Sequence, residues 1–126
     1  MRAEGQRVVV LGASVKPARY SNQAIRLLLE KGHQVIPVHP VLNEVCGLPV
    51  AASLDAVAPP VDTLTMYVGP QVSTPLAGAI LRLRPGRVIF NPGSENPELE
   101  AVLRAAAIPW EHACTLVLLR TGQFAF

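Results

Sequence analysis

The architecture of the chain is first indicated by Val8-Val9-Val10-Leu11-Gly12-Ala13-Ser14-Val15-Lys16-Pro17-Ala18-Arg19-Tyr20-Ser21-Asn22. Its first four residues form a short apolar run, which is typical of a parallel strand that is buried on both faces. Gly12 ends the run, and a loop containing Pro17 separates it from Ser21 or Asn22, either of which can cap a helix. A strand, a tight loop and a helix in this order form the first part of a βαβ unit.

The segment after this loop predicts the first helix and the second strand. The helix has a broad apolar face made of Ala24, Ile25, Leu27, Leu28 and Leu29. Lys31 falls in its last turn, and Gly32 suits the position just after a helix, where a positive φ is common. The apolar residues 35–38 predict the second strand, which Pro40 closes.

The rest of the chain continues this alternation of strands and helices. Further strands are predicted over residues 62–68, 88–90 and 108–111, and further helices over 53–57, over 74–83 and from Asn96 onward. Residues 41–53 are predicted to be irregular, and residues 115–126 to form a short helix with a frayed end. The order β-α-β-α-β-α-β-α-β predicts an α/β fold with a Rossmann-like, doubly wound five-stranded parallel sheet in a three-layer αβα sandwich.

The composition fits one domain over residues 1–126 and argues against several functions. Half of the residues are hydrophobic and 16% are charged, which predicts a covered parallel sheet or an apolar surface buried in a homodimer. A net charge of +2 and an aromatic content of 5% are too low to predict nucleic-acid binding. No apolar run reaches the ~20 residues of a membrane span, and the polar residues 1–7 do not resemble a signal peptide. We therefore expect a cytoplasmic protein that does not enter a membrane.

Two cysteines, Cys46 and Cys114, match neither a zinc site nor a redox pair. We expect both to be free thiols that pack against the protein in a reducing cytoplasm. The histidines and carboxylates show no metal-ligand spacing, and no nucleophile and base form a recognisable set. We therefore expect no metal site and no enzymatic activity.

The residues that follow each predicted strand are the candidate site, because ligands of doubly wound sheets bind at the carboxyl ends of the strands. After the first strand, Gly12 lets the backbone approach a ligand. Ser14 and Ser21 offer hydroxyls there, while Lys16 and Arg19 offer cations beside the N-terminus of the first helix. This pattern is compatible with a phosphate-binding corner and equally with a tight turn that carries solvated basic side chains.

Two common nucleotide-binding motifs are absent from this loop. Gly12 is its only glycine, so the sequence is neither G-x-G-x-x-G nor G-x-x-x-x-G-K-[ST]. The second strand ends in Val38-His39-Pro40, where NAD-binding domains carry a carboxylate for the ribose 2′-hydroxyl. The absence of that carboxylate allows a ligand with an additional ribose phosphate, and both NADP and coenzyme A (CoA) meet this description.

Several stretches together resemble a known family. They are Gly12-Ala13-Ser14, Pro17, Arg19 and Ser21, then Gly32-His33-Gln34-Val35-Ile36-Pro37-Val38-His39-Pro40, and then Val45-Cys46-Gly47, Ser53-Leu54 and Val61-Asp62. These residues resemble the small stand-alone CoA-binding proteins, whose domain is similar to the nucleotide-binding domain of the succinyl-CoA synthetase α subunit. The likeness covers nearly the whole chain and is strongest over residues 8–62. It implies a Rossmann-type domain that binds CoA or an acyl-CoA at the carboxyl edge of the sheet without chemistry of its own.

The resemblance also implies a set of ligand-binding residues. They are Gly12, Ala13, Ser14, Lys16, Arg19, Ser21, Asn22, Val38, His39, Pro40, Tyr67, Val68, Gly69, Asn91 and Gly93. The members from Gly12 to Asn22 would meet the phosphates. Those around His39 would line the adenosine, those after Tyr67 would flank the pocket, and Asn91 and Gly93 would meet the pantetheine arm.

The chain departs from the family pattern at four places, one of which is His33, where family members often carry an aromatic residue after the helix-ending glycine. His39 replaces a usual asparagine, the segment Tyr67-Val68-Gly69-Pro70 carries no charge, and Asn91-Pro92-Gly93 replaces a Gln-x-Gly pattern. Two other functions therefore stay open beside CoA binding. One is an NAD(P)-binding protein or redox sensor, and the other is an interaction module that keeps the fold without a ligand.

Overall fold

The structure, a computed structural model, describes residues 5–125. In chain order the strands are β1 (Arg7–Leu11), β2 (Gln34–Val38), β3 (Glu44–Val45), β4 (Leu48–Pro49), β5 (Thr63–Met66), β6 (Arg87–Phe90) and β7 (Trp110–His112). The α-helices are α1 (Tyr20–Glu30), α2 (Pro70–Ser73), α3 (Ala77–Leu83), α4 (Pro97–Ala105) and α5 (Thr115–Arg120), with 3₁₀ turns at Leu54–Ala56 and Thr74–Leu76.

Five of the strands form one parallel sheet in the order β2-β1-β5-β6-β7. The chain leaves β1 for β2 on one side and later returns to pair β5 on the other, so the strand order reverses at β1. Consecutive strand residues point to opposite faces, and both faces are apolar, because each is covered by helices. This confirms the predicted doubly wound α/β fold.

The two faces of the sheet carry separate cores. Val9 and Leu11 of β1 pack on the side that holds α3 and α4, with Ile80, Leu83, Leu99 and Leu103. Val8 and Val10 pack on the other side with Ile25 and Leu28 of α1, Leu119 of α5 and Phe124. The alternation along a single strand therefore produces the three layers of the predicted αβα sandwich.

Some predicted boundaries are wrong for identifiable reasons. The third strand of the sheet is Thr63–Met66, shorter than the predicted 62–68; Tyr67 still donates its N–H to Leu11 O, and the chain leaves the sheet after it. The helix predicted from Thr74 starts at Pro70, since the fixed φ of proline suits a first helical position. A 3₁₀ turn at Thr74–Leu76 separates this helix from α3.

The segment predicted to be irregular contains a β-hairpin. β3 and β4 are antiparallel, and Cys46 and Gly47 between them have φ values of 52° and 77°. A two-residue turn with two positive φ values matches the twist of a hairpin. Cys46 is exposed at this turn, so the prediction that it packs is wrong.

The tail is more ordered than predicted. α5 ends at Arg120, and Phe124 is buried with its ring 5.1 Å from the His33 ring. The prediction of a frayed end is therefore wrong up to residue 125, and residue 126 lies outside the described part. Residues 1–4 also lie outside it; they are part of the segment 1–7 that was predicted not to be a signal peptide. No helix within residues 5–125 is long and apolar enough to cross a membrane.

Candidate functional site

A cleft of about 800 Å³ opens at the carboxyl ends of the strands, where the strand order reverses. Its walls come from the loop after β1, the end of β2 with the segment that follows the hairpin, the loop after β5, and the loop after β6. The lining residues are Leu11, Gly12, Ala13, Ser14, Lys16, Arg19, Tyr20, Ser21, Val38, His39, Pro40, Ala52, Ser53, Leu54, Tyr67, Val68, Gly69, Val72, Leu76, Pro92, Gly93 and Ser94. All of the predicted site residues except Asn22 and Asn91 lie in this lining.

Three side chains of α1 hold the loop between β1 and the helix. Asn22 Nδ2 donates to Ser14 O at 2.8 Å, Gln23 Nε2 donates to Ala18 O at 3.0 Å, and Arg26 donates to Pro17 O at 2.8 Å. Carbonyl oxygens of the loop are thereby turned toward the helix. The loop is fixed by the helix that it precedes.

Asn22 was predicted to lie near a phosphate, but it does not line the cleft. It is 4% exposed and sits inside α1, where its Oδ1 accepts a hydrogen bond from Arg26 Nε at 2.8 Å. Both ends of its amide are therefore used within the protein. Asn22 positions the loop rather than facing a ligand, and no pattern in the sequence indicates its partner Arg26.

The cleft has a cationic corner, which we define as Ser14, Lys16, Arg19 and Ser21. Lys16 and Arg19 are exposed, and neither pairs with a carboxylate within residues 5–125. The cleft lining contains no aspartate or glutamate. The field in this corner is therefore positive, as an anionic ligand requires.

The N-terminus of α1 adds to this positive field. Arg19 rather than Ser21 or Asn22 occupies the cap position, and it makes no side-chain hydrogen bond to the first turn. The predicted cap is therefore wrong. The first-turn N–H groups of a helix have no intrahelical acceptor, and they attract anions together with the helix dipole. Tyr20 begins this turn and lines the cleft, although the sequence interpretation missed it.

Gly12 meets a steric requirement of the fold itself. Its φ is 93°, and a Cβ atom placed on it would lie 2.9 Å from Val68 Cγ1 and 3.0 Å from Tyr67 O. A backbone oxygen cannot move aside cheaply. The loop after β5 fills the side on which a Cβ would lie, while Gly12 itself lines the cleft, so the expectation that its backbone approaches a ligand stays a prediction.

His39 lies at the β2 end of the cleft and also shapes the chain that follows it. Its Nδ1 accepts hydrogen bonds from Val41 N at 3.0 Å and Leu42 N at 3.1 Å. With Nδ1 acting as acceptor, the proton of the neutral ring sits on Nε2. Nε2–H is thus the donor that His39 can offer to a ligand.

Asn91 was predicted to meet the far arm of a ligand, but it is buried beneath the cleft. Its Nδ2 donates to Thr65 Oγ1 at 2.7 Å and to Met66 O at 2.8 Å, and its Oδ1 accepts from Thr115 N at 2.8 Å. Asn91 therefore ties β5, β6 and α5 together. It lies outside the lining, whereas Gly93 lies within it.

Tyr67 is one of the residues that line the cleft, and its hydroxyl is buried. The oxygen has no hydrogen-bond partner within the described residues. Burial is the main reason that the pKa of Tyr67 rises to about 12. Tyr67 consequently stays neutral at every physiological pH, in contrast to the charged groups of the cationic corner.

Other titratable groups stand apart from the cleft. His112 Nε2 lies 2.8 Å from Glu100 Oε2, and its ring stacks near Trp110 at the outer edge of the sheet. Cys114 is half-buried at the start of α5. Neither residue lines the cleft, and residues 5–125 contain no cluster of three potential metal ligands.

Several residues of the cleft could not be found from the sequence. The segment Ala52–Leu54 reaches the end of β2 because Ala51 forms a parallel bridge with Val38, which no local pattern reveals. Val72 and Leu76 were missed because the helix start was placed at Thr74 instead of Pro70. An earlier helix start would have placed both on one helical face.

The fold and the cleft together define a class, that of Rossmann-like domains with a cationic cleft where the strand order reverses. Within that class, residues 6–120 match the family model described as the CoA binding domain. The chain therefore belongs to the CoA-binding domain family, and the expected resemblance is confirmed.

Solved structures with the same fold include two that are similar over nearly their full length. One uncharacterised protein shares 40% identity, with a TM-score of 0.89 over 94% of this chain and 98% of its own. A Thermus thermophilus protein shares 33% identity, with a TM-score of 0.87 over 95% of this chain and 91% of its own. The dinucleotide-forming acetyl-CoA synthetase of Candidatus Korarchaeum cryptofilum, at 21% identity and a TM-score of 0.71, shares the fold over 85% of this chain and 25% of its own.

A relative of known sequence matches over a shorter region. The uncharacterised protein YneT of Bacillus subtilis is 29% identical over 62 residues. This match spans 49% of the present chain and 46% of that relative.

Proposed function

We propose that this protein binds coenzyme A in the cleft and carries out no chemistry on it. The observation that carries the proposal is the cationic corner. Lys16 and Arg19 bring two positive charges to the cleft, and no carboxylate in the lining neutralises them. A ligand with several phosphate groups neutralises such a corner. Membership of the CoA-binding domain family supports the identity of that ligand.

The residues present fit coenzyme A. Lys16 and Arg19 are placed to pair with its phosphates, since a guanidinium matches phosphate oxygens in geometry. The first turn of α1 offers backbone N–H donors to the same anionic groups. His39, at the other side of the corner, offers Nε2–H to the ribose or adenine. When bound, coenzyme A supplies a thiol that carries acyl groups.

The proposal of a non-catalytic protein is supported by the chemistry of the lining. Its residues include neither a cysteine nor a carboxylate. The histidine that lines it, His39, already uses Nδ1 to hold two backbone N–H groups. A general base or nucleophile needs a free, activated group beside the reacting atom. The lining is therefore better suited to binding a ligand than to catalysing a reaction of that ligand.

Titration calorimetry with CoA, dephospho-CoA and NADPH tests the proposal. We expect CoA to bind and removal of its 3′-phosphate to weaken binding. Tighter binding of NADPH would instead assign the protein to redox nucleotide binders, and no binding of any of the three would make it a protein-interaction module. Calorimetry is preferable to tryptophan quenching, because Trp110 lies in β7 and outside the cleft lining.

A further inference from the structure

The cleft has a second half whose chemistry differs from that of the cationic corner. Val68 follows β5, Val72 lies in α2, and Leu76 lies in the 3₁₀ turn that continues α2. We call these three residues the apolar wall. Val72 and Leu76 are four positions apart in consecutive helical turns, a spacing that places side chains on one face.

The apolar wall is unusually open for a set of aliphatic side chains. Val72 is 52% exposed, and Val68 and Leu76 are only half-buried. The lining on this side of the cleft, from Tyr67 to Ser94, contains no charged residue. An apolar surface left open in a concave site is typical of a pocket that receives an apolar group of its ligand.

The positions of the two halves limit which part of the ligand meets the apolar wall. The cationic corner lies after β1, whereas the apolar wall lies after β5, the neighbouring strand. Coenzyme A carries its phosphates toward one end and its thiol at the other. Phosphates held at the corner therefore leave the thiol end free to extend along the cleft.

We propose that the apolar wall holds the acyl chain of an acyl thioester, so that the ligand is an acyl-CoA rather than free CoA. This inference rests on the proposed function. It adds to that function a chemical class of ligand and three residues that select it. Of the three, only Val68 was among the residues that the family resemblance implied.

The first experiment compares CoA, acetyl-CoA, butyryl-CoA and hexanoyl-CoA by titration calorimetry. Burial of one methylene group corresponds to roughly a fourfold decrease in Kd. Butyryl-CoA has two more methylene groups than acetyl-CoA, so we expect it to bind about fifteenfold more tightly, with a further gain for hexanoyl-CoA until the wall is covered. Equal affinities for CoA and all three thioesters would overturn the inference and leave the proposed function intact. Failure of CoA and of every thioester to bind would overturn both.

The second experiment locates the effect with Val72→Ser and Leu76→Ser. Each substitution should reduce the ratio of butyryl-CoA affinity to CoA affinity by about fivefold. The matched control is Val117→Ser, since Val117 is 51% exposed in α5 and outside the cleft, and it should not change this ratio. Equal weakening of CoA and butyryl-CoA by Val72→Ser would overturn the inference, because the wall would then contact another part of the ligand.

Discussion

An arginine at the amino end of the sheet is buried, whereas an arginine at the carboxyl end is exposed. At the amino end, Arg87 begins β6 and is 4% exposed; it donates to Phe124 O and to Thr63 Oγ1 at 2.9 Å. Its guanidinium also lies 4.6 Å from the centre of the Phe124 ring. At the carboxyl edge, Arg19 is exposed and has no carboxylate partner within the described residues.

The buried Arg87 stabilises the fold, whereas the exposed Arg19 and Lys16 are available to bind a ligand. Burial of Arg87 lowers its pKa, and the hydrogen bonds to Phe124 and Thr63 offset the cost of removing it from water. Arg19 and Lys16 are solvated, so the folded state gains little from them. A cation that the fold does not use, at the edge where such sheets bind ligands, is the better candidate for function.

The largest expected effect comes from removal of the buried charge. Arg87→Met removes the donor to Thr63 Oγ1 and leaves Phe124 O with only the longer hydrogen bond from Gln6 Nε2 at 3.3 Å, and we expect it to lower the free energy of unfolding by about 4 kcal/mol. Urea denaturation measures this change. The matched variant Arg19→Met should change the same quantity by less than about 0.5 kcal/mol. Equal losses from the two variants would contradict the comparison.

Tyr67, a residue at the carboxyl edge with a buried hydroxyl, should make a smaller, pH-dependent change to the free energy of unfolding. The pKa of Tyr67 is raised from 10.0 to about 12, so between these values the unfolded chain loses the phenolic proton while the folded chain keeps it. Stability therefore falls as pH rises through this window, by about 2 kcal/mol at pH 12.

Tyr67→Phe isolates this contribution. Its stability should equal or slightly exceed that of the wild type at pH 7, because the hydroxyl is buried without a partner. Above pH 10 the variant should become increasingly more stable than the wild type. Parallel stability curves for the two proteins from pH 7 to pH 12, measured by urea denaturation, would show that burial does not control this group.

The smallest expected effect is on the free energy of CoA binding, and it comes from substitutions in the cationic corner. Arg19→Ala and Lys16→Ala should each raise the Kd for CoA about tenfold, which corresponds to about 1.4 kcal/mol, and should make binding less sensitive to salt. Arg120→Ala is the control, since Arg120 is exposed in α5 and outside the cleft. If Arg120→Ala weakens binding as much as Arg19→Ala does, only the net charge matters and the corner has no specific role.

The sequence predicts the fold well because its signals are local. The apolar run before Gly12 and the alternation of later segments are sufficient for a doubly wound sheet. The site is less predictable, because a polar residue after a strand can face either the cleft or the interior. Asn91 and Gly93 are two positions apart, yet only Gly93 lines the cleft, while the amide of Asn91 satisfies Thr65 and Thr115. That choice depends on tertiary partners.

The anchoring of the loop after β1 has a consequence for the rate of binding. Asn22, Gln23 and Arg26 hold this loop against α1 by hydrogen bonds to its carbonyl groups. Its conformational entropy is thus lost when the protein folds and not when a ligand arrives. An incoming anion therefore meets a loop that is already ordered, and its association is governed by diffusion and electrostatic attraction rather than by a slow rearrangement of the chain.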